Sequence, residues 1–380
     1  MRLPWSARAA TSALFLVNGA GIGAWASSLA PLQERLALTP ASLSLALLAM
    51  AAGAILTMPL AGVLAEKLGG TGRSTALASL VYPFALAVPG FAPNLAALVA
   101  ATFAFGCVNG LMDVSMNAHA TGVERRWSGA IMSSFHAAWS AGGILGAAFA
   151  GVTLHAGFAP SVLLAATAAL AFVASAFAVR WLGPGEASAV SGPVYRLPDR
   201  RLLGFALVAL FGMMSEGAMV DWSALYLTLV AHAPADVAAG GYGVFAGAML
   251  AGRMIGDAVV RAIGRRNVIV LGAALATFGV AIAIAWPTPS VILVGYALAG
   301  IGLSNLVPAV FSESAAQAPS PAVGIAMAAT VGYAGLLMGP VLIGVVAGLS
   351  SLRVGFLLLA LALLAIMPAA RRAGGTKSAR

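Results

Sequence analysis

Charge is what this sequence has least of. Asp, Glu, Lys and Arg make up only 8% of its 380 residues, 11 acids against 20 bases. A soluble chain carries about 25% charge, because a fold in water must clothe its outside in polar groups. This chain has too few to do so, which excludes a soluble enzyme, a nucleic-acid-binding domain and a disordered protein together. Cysteine is almost absent too. Cys107 alone excludes a disulfide framework and a cysteine-clamped metal site. There is no Walker lysine loop, so ATP is not the expected energy source, and no His-Glu-x-x-His for a catalytic metal. The sequence calls for no cofactor. The remainder is apolar: 61% of the residues, with a mean hydropathy of +0.99. The solvent this composition fits is a lipid bilayer.

A spanning helix needs about 20 apolar residues, and the apolar runs read as twelve helices. Their limits fall near 9–31, 41–65, 74–91, 94–120, 129–153, 160–181, 202–230, 240–260, 267–286, 290–311, 323–347 and 352–369. The runs are about twice strand length and do not alternate, which argues against a β-barrel. With both termini in the cytoplasm, only Arg35 and Arg353 fall outside and Arg253 falls within a span. The rest of the 20 bases collect on the cytoplasmic side. That asymmetry predicts a multi-pass inner-membrane protein with cytoplasmic termini. The first span reads as retained rather than as a cleaved leader.

The polar stretch 182–200, with Pro184, Pro193 and Pro198, reads as a linker between two six-helix bundles, 1–181 and 201–380. The halves echo each other at one constant offset: Trp25 with Trp222, His136 with Tyr333, Gly151 with Gly348. A second echo lies after the second and eighth spans. The first copy holds Gly62, Glu66, Lys67, Gly69 and Arg73; the second holds Gly252, Arg253, Gly256, Asp257, Arg261 and Arg265. Here the chain resembles the major facilitator superfamily, which carries a motif of the type G-x-L-A-D-R-x-G-R-R between spans two and three, with a weaker copy between eight and nine. Glu66 stands where that motif has Asp, and Gly and Thr dilute its basic run. Glu216-Gly-Ala-Met-Val-Asp221-Trp222 and Asp113-Val-Ser-Met-Asn117 also resemble the fucose-permease-like branch. The resemblance implies an all-α fold of twelve transmembrane helices in two pseudo-symmetric bundles. It also implies a cytoplasmic gate at the motif residues, whose charges bias a two-state equilibrium. The plainer reading of those charges is a basic cytoplasmic rim.

Ionisable groups within a bilayer are costly, so they usually face a cavity or a partner. At about 1.5 Å per residue, Glu216 lies roughly 22 Å from the cytoplasmic rim and His136 roughly 15 Å. Asn18 and Asn305 reach a similar layer. Asn109, Asp113 and Asn117 form one stripe on the fourth span, and Ser133, His136 and Ser140 another on the fifth. Glu216, Asp113 and His136 are the candidates for proton coupling. Asn18, Trp25, Asn109, Asn117, Ser133, Trp139, Asp221, Trp222, Asn305 and Tyr333 are the candidates for a substrate cavity lined by spans 1, 4, 7 and 10. Against these stand plainer roles: paired structural acids, a satisfied core histidine, aromatic rings that only pack. Arg253 and Asp257, at i and i+4, read as an ion pair within one helix or within the motif. His119 reads as interfacial.

The expected function is secondary transport of a small solute by a monomeric protein, with proton-coupled symport of a polar, sugar-like solute as the leading form. Efflux of amphiphilic drugs, uncoupled facilitation and a non-transporting receptor or scaffold are the alternatives. The orientation is directly testable. A fluorescent protein fused after Arg380 should fold and fluoresce in the cytoplasm, whereas a phosphatase active only outside should stay inactive there.

Overall fold

The computed structural model describes residues 4–38, 40–183, 185, 200–233 and 235–373. Most of the linker read at 182–200 lies outside the described residues. The helices are α1 (Pro4–Arg35), α2 (Pro40–Thr57), α3 (Leu60–Leu68), α4 (Thr71–Ala87), α5 (Leu95–Arg125), α6 (Met132–His155) and α7 (Pro160–Leu182). There follow α8 (Arg200–Val230), α9 (Ala235–Ile263), α10 (Arg265–Ala285), α11 (Pro289–Leu303), α12 (Leu306–Gln317), α13 (Pro321–Leu349) and α14 (Leu352–Ala373). Among the described residues eleven stretches are long and apolar enough to cross a membrane, α11 and α12 together making one of them. The bent pair α2 and α3 makes the twelfth span.

Two spans that read as continuous are broken, each at a proline. Between α2 and α3 the axis turns by 51° just before Leu60, at Met58-Pro59. Between α11 and α12 the break falls at Ser304-Asn305, with Pro308 in the first turn of α12. Proline lacks the N–H that would reach back four residues, so it frees a carbonyl. Elsewhere proline starts helices: Pro160 and Pro289 stand in the first turns of α7 and α11. Asn94 caps α5, accepting from the Ala97 N–H at 2.9 Å.

The chain forms two compact units. The first comprises α1–α7 together with the opening of α13 to Ala326; the second comprises α8–α12, the rest of α13 and α14. Each holds six spans, and the same pairing recurs within each. In the first unit α1 packs on α6 and α7, α2 on α5, and α4 on α5 and α7. In the second, α8 packs on α14, α9 on α11, and α10 on α11 and α14. Contacts from Gly335 and Gly339 to the Leu210 and Met214 carbonyls pack α13 on α8.

Glycine decides how close these pairs come. A Cβ at Gly142 or Gly146 would run into the Leu16 or Ala20 carbonyl of α1, and one at Gly106 into the Met50 carbonyl of α2. Lipid tails are as apolar as leucine, so helix association in a bilayer rests on such close backbone approach. Arginines secure the helix ends. Arg35 donates to the Gly90 and Ala92 carbonyls after α4, and Arg353 to the Ile284 carbonyl at the end of α10. Gly106→Val should lower the melting temperature and yield of the purified protein, since overpacking costs about 1–3 kcal/mol or more. Gly151→Ala, where a Cβ meets nothing within 4 Å, should leave both unchanged.

Candidate functional site

In the first unit the polar residues of α1, α5 and α6 form two separate networks. Asn18, only 2% exposed, is fully engaged. Its Nδ2 donates to Asn109 Oδ1 at 3.0 Å, and its Oδ1 accepts from Trp139 Nε1 at 2.8 Å. Its backbone carbonyl accepts from the Tyr82 hydroxyl at 3.0 Å. Three of the residues expected to line a cavity thus satisfy one another and tie α1 to α5 and α6. Trp25 is buried as well, edge-on to Phe105.

The second network lies further along α5. Asn117 Nδ2 donates to the Asp113 carboxylate at 3.2 Å and to the Asp113 carbonyl at 2.9 Å. Its Oδ1 is therefore the atom that meets His136 Nε2, at 3.2 Å. An amide oxygen only accepts, so His136 carries a proton on Nε2 in this contact. Asp113, Asn117 and His136 form a continuous hydrogen-bonded line, with Asp113 half-buried and the other two buried. Ser133 is buried beside His136 on α6.

In the second unit Glu216 on α8 meets Arg253 on α9, Oε1 to Nη2 at 3.8 Å; their side chains are 23% and 5% exposed. The i, i+4 spacing points Arg253 to Asp257, but the structure also sends its guanidinium across to α8 and to the break after α11. Arg253 Nε donates to the Ser304 carbonyl at 3.1 Å. The reason lies in Pro308, which has no N–H to offer the carbonyl four residues back. Asn305 Nδ2 bonds the Gly252 carbonyl and Ser304 Oγ, both at 2.9 Å, while its buried Oδ1 has no hydrogen-bond partner among the described residues. Glu216, Arg253 and Asn305 thus come together around one helix break.

Other expected residues lie elsewhere. Asp221 is exposed. Trp222 donates to the Pro340 carbonyl at 3.0 Å and lines a 410 Å³ cavity with Leu229, Val230, Ala347, Ser351, Leu352 and Arg353. Tyr333 is half-buried on α13. In the first loop motif Gly62 is buried, while Glu66, Lys67 and Arg73 are exposed. Gly69 takes the left-handed conformation that ends α3, φ 74°, and Arg73 Nη1 donates to the Leu68 carbonyl at 3.1 Å. In the second copy Gly256 and Asp257 are buried, Arg261 is exposed and Arg265 half-buried.

Sequence reasoning missed two residues. Glu124, 7% exposed, accepts from the Ile131 and Met132 N–H groups at 2.9 and 3.1 Å, capping α6 with a carboxylate from α5. An acid just before a short, glycine-bearing loop was the available signal. His119 is fully buried rather than interfacial, with the Leu182 backbone at the end of α7 as its neighbour. No sequence signal marks it. The Asn18 network yields a test. Asn18→Ala would remove the Asn18 partner of both the Trp139 N–H and the Asn109 oxygen, each loss costing about 1–3 kcal/mol. Thermal unfolding in detergent should show a clear loss of stability; an unchanged melting temperature would contradict the bracing role.

Residues 11–330 match the Major Facilitator Superfamily. An uncharacterised MFS-type transporter of Yersinia pestis is 36% identical over 367 residues, covering 96% of this chain and 95% of that protein. The membrane protein MosC of Rhizobium meliloti is 34% identical over 339 residues, covering 88% and 82%. Among solved structures, the outward conformation of the transporter FucP superposes with a TM-score of 0.77 at 15% identity, covering 97% of this chain and 98% of that one. The human organic anion transporter MFSD10 gives 0.77 at 13%, covering 97% and 100%. With twelve apolar spans, repeated helix pairing and polar groups held inside the bundles, the chain belongs to the Major Facilitator Superfamily, a family of membrane transporters and not of enzymes.

Proposed function

We propose that the protein is a secondary active transporter, working as a monomer in a bacterial inner membrane with both termini in the cytoplasm. It moves a small polar solute by alternating access and couples that movement to protons. The observation that carries this reading is Glu216, a carboxyl within a span, 23% exposed and 3.8 Å from a buried guanidinium. A carboxyl placed against a cation within a span offers a site for one proton, which is what a coupling group must provide. The Asp113, Asn117 and His136 line supports a second proton-binding position, since it joins two titratable groups through one amide. FucP, a fucose:proton symporter, shares the fold, which supports a sugar-like solute as the first class to try. The exposed Lys67 and Arg73, beside the tight turn at Gly69, serve the cytoplasmic gate in this reading.

The test is transport in proteoliposomes that enclose a pH-sensitive dye, with sugars and sugar acids as the trial solutes. Glu216→Gln should abolish uphill accumulation and solute-driven proton movement while exchange across the membrane continues. Uphill transport at the normal rate by that variant would sink the coupling role.

A further inference from the structure

Trp222 and Arg353 share a cavity to which the transport reading gives no role. It lies in the second unit where α8 and α13 finish and α14 starts, at the end of the spans away from Ala373. Its 410 Å³ falls within the range of small-molecule sites, about 300–1,000 Å³. The lining is graded along the spans. Trp222 stands about 10 Å deeper along α8 than Leu229, at about 1.5 Å per residue. It spends its ring N–H on the Pro340 carbonyl, so the indole offers the cavity only apolar ring surface. Ala347, Leu229 and Val230 continue that apolar lining, and the polar members, Ser351 and Arg353, stand at the helix ends.

Arg353 is the one charge in this lining among the described residues; Asp221, next to Trp222 in sequence, lies outside it. Arg353 Nη2 donates to the Ile284 carbonyl at 2.8 Å, and the Tyr226 hydroxyl stands beside the guanidinium. A guanidinium carries five N–H donors, so these neighbours leave donors over. Among the described residues no carboxylate pairs with it. Arg35, the other base expected at this end, differs in spending both Nη atoms on carbonyls. Ser351 Oγ accepts from the Val354 N–H at 3.3 Å, which leaves the hydroxyl proton to donate. The mouth of the cavity therefore offers a cation and a hydroxyl donor above an apolar interior. Leu229 is exposed, and Val345 and Leu349, which flank Ala347 on α13, are exposed too. Apolar surface thus runs from the cavity out to where lipid chains lie.

We infer that this cavity is a site for an anionic phospholipid of the surrounding bilayer. The lipid phosphate meets Arg353 and Ser351, and one acyl chain runs along Leu229 to the face of Trp222. The polar pair stands at the span ends, where headgroups lie, and basic pockets between spans are suited to them. A small soluble anion has no chain for the apolar part. A zwitterionic lipid brings an ammonium with its phosphate, whereas phosphatidylglycerol brings the net negative charge that Arg353 lacks. Bound there, one lipid touches α8, α13 and α14 together and ties their ends. With the termini in the cytoplasm, it comes from the outer leaflet.

The experiment is a native mass spectrometry titration of the full-length protein in detergent. The probes are phosphatidylglycerol, phosphatidylcholine, decanoate as a soluble anionic amphiphile, and glycerol phosphate as the headgroup alone. Phosphatidylglycerol should bind about tenfold more tightly than phosphatidylcholine, and the two soluble anions more weakly than either. Bases at the other end of the spans also attract anionic lipid, so the decisive quantity is the binding that a variant loses. Arg353→Gln should bring phosphatidylglycerol down to the affinity of phosphatidylcholine. Ala347→Leu narrows the cavity but keeps Arg353 and its Ile284 contact, and it should weaken both lipids. If Arg353→Gln does not fold, Ala347→Leu and Ser351→Ala carry the test, each expected to weaken phosphatidylglycerol. Equal binding of the two lipids by the unaltered protein would overturn the inference. So would a preference for phosphatidylglycerol that survives in all of these variants, which would place the lipid elsewhere. Decanoate or glycerol phosphate binding as tightly as phosphatidylglycerol, and lost with Arg353, would overturn it in favour of a soluble anion.

Discussion

In hydrocarbon a backbone carbonyl has no water to turn to, and the second unit is organised around one such carbonyl. Pro308 cannot donate to Ser304, so the span that α11 and α12 make together opens at Ser304-Asn305. In a soluble protein that opening could be hydrated. Within a bilayer it must be closed by another part of the chain. Arg253 closes it from α9, and Asn305 reaches back to the Gly252 carbonyl on the same helix. A buried cation then requires an anion, which Glu216 brings from α8. One missing N–H thus draws three spans into a single polar cluster.

The first unit meets the same constraint away from its own proline break between α2 and α3. Its polar side chains lie on unbroken stretches of α1, α5 and α6, and they satisfy one another. The Asn18, Asn109, Trp139 and Tyr82 network leaves none of the Asn18 amide atoms over. That saturation separates bracing from function. Asn18 holds helices together, whereas Asp113 and His136 keep titratable groups at the two ends of a line joined by Asn117. The backbone beneath both clusters is drawn tight by glycine, which lets α1 meet α6 and α8 meet α13 with carbonyls where side chains would otherwise stand.

The two ends of the spans are handled by different chemistry. At one end Arg35 and Arg353 are used on carbonyls that end helices. At the other end bases are more plentiful, and Lys67, Arg73, Arg125 and Arg261 among them are exposed. Glu124 is the exception among the acids near that side. It is buried at the end of α5 and joins it to the start of α6 through two N–H groups.

The sequence by itself determined the solvent and the number of spans. Each of these follows from composition and from a rise of about 1.5 Å per residue. It also determined that Glu216, Arg253, Asp113 and His136 are unusual, since charge is rare in an apolar run. Only the tertiary structure decided their partners. Arg253 has Asp257 one turn away on its own helix, and sequence spacing favours that neighbour. The guanidinium also reaches Glu216 and Ser304, because crossing helices bring α8 and the break near Pro308 within its span. Asn18 and Asn117 look alike in sequence, both amides among apolar residues. Packing makes one a brace and the other a bridge between titratable groups. Hydrophobic periodicity specifies which residues sit in lipid, but hydrogen bonds between spans depend on which helices touch, and distance along the chain does not encode that.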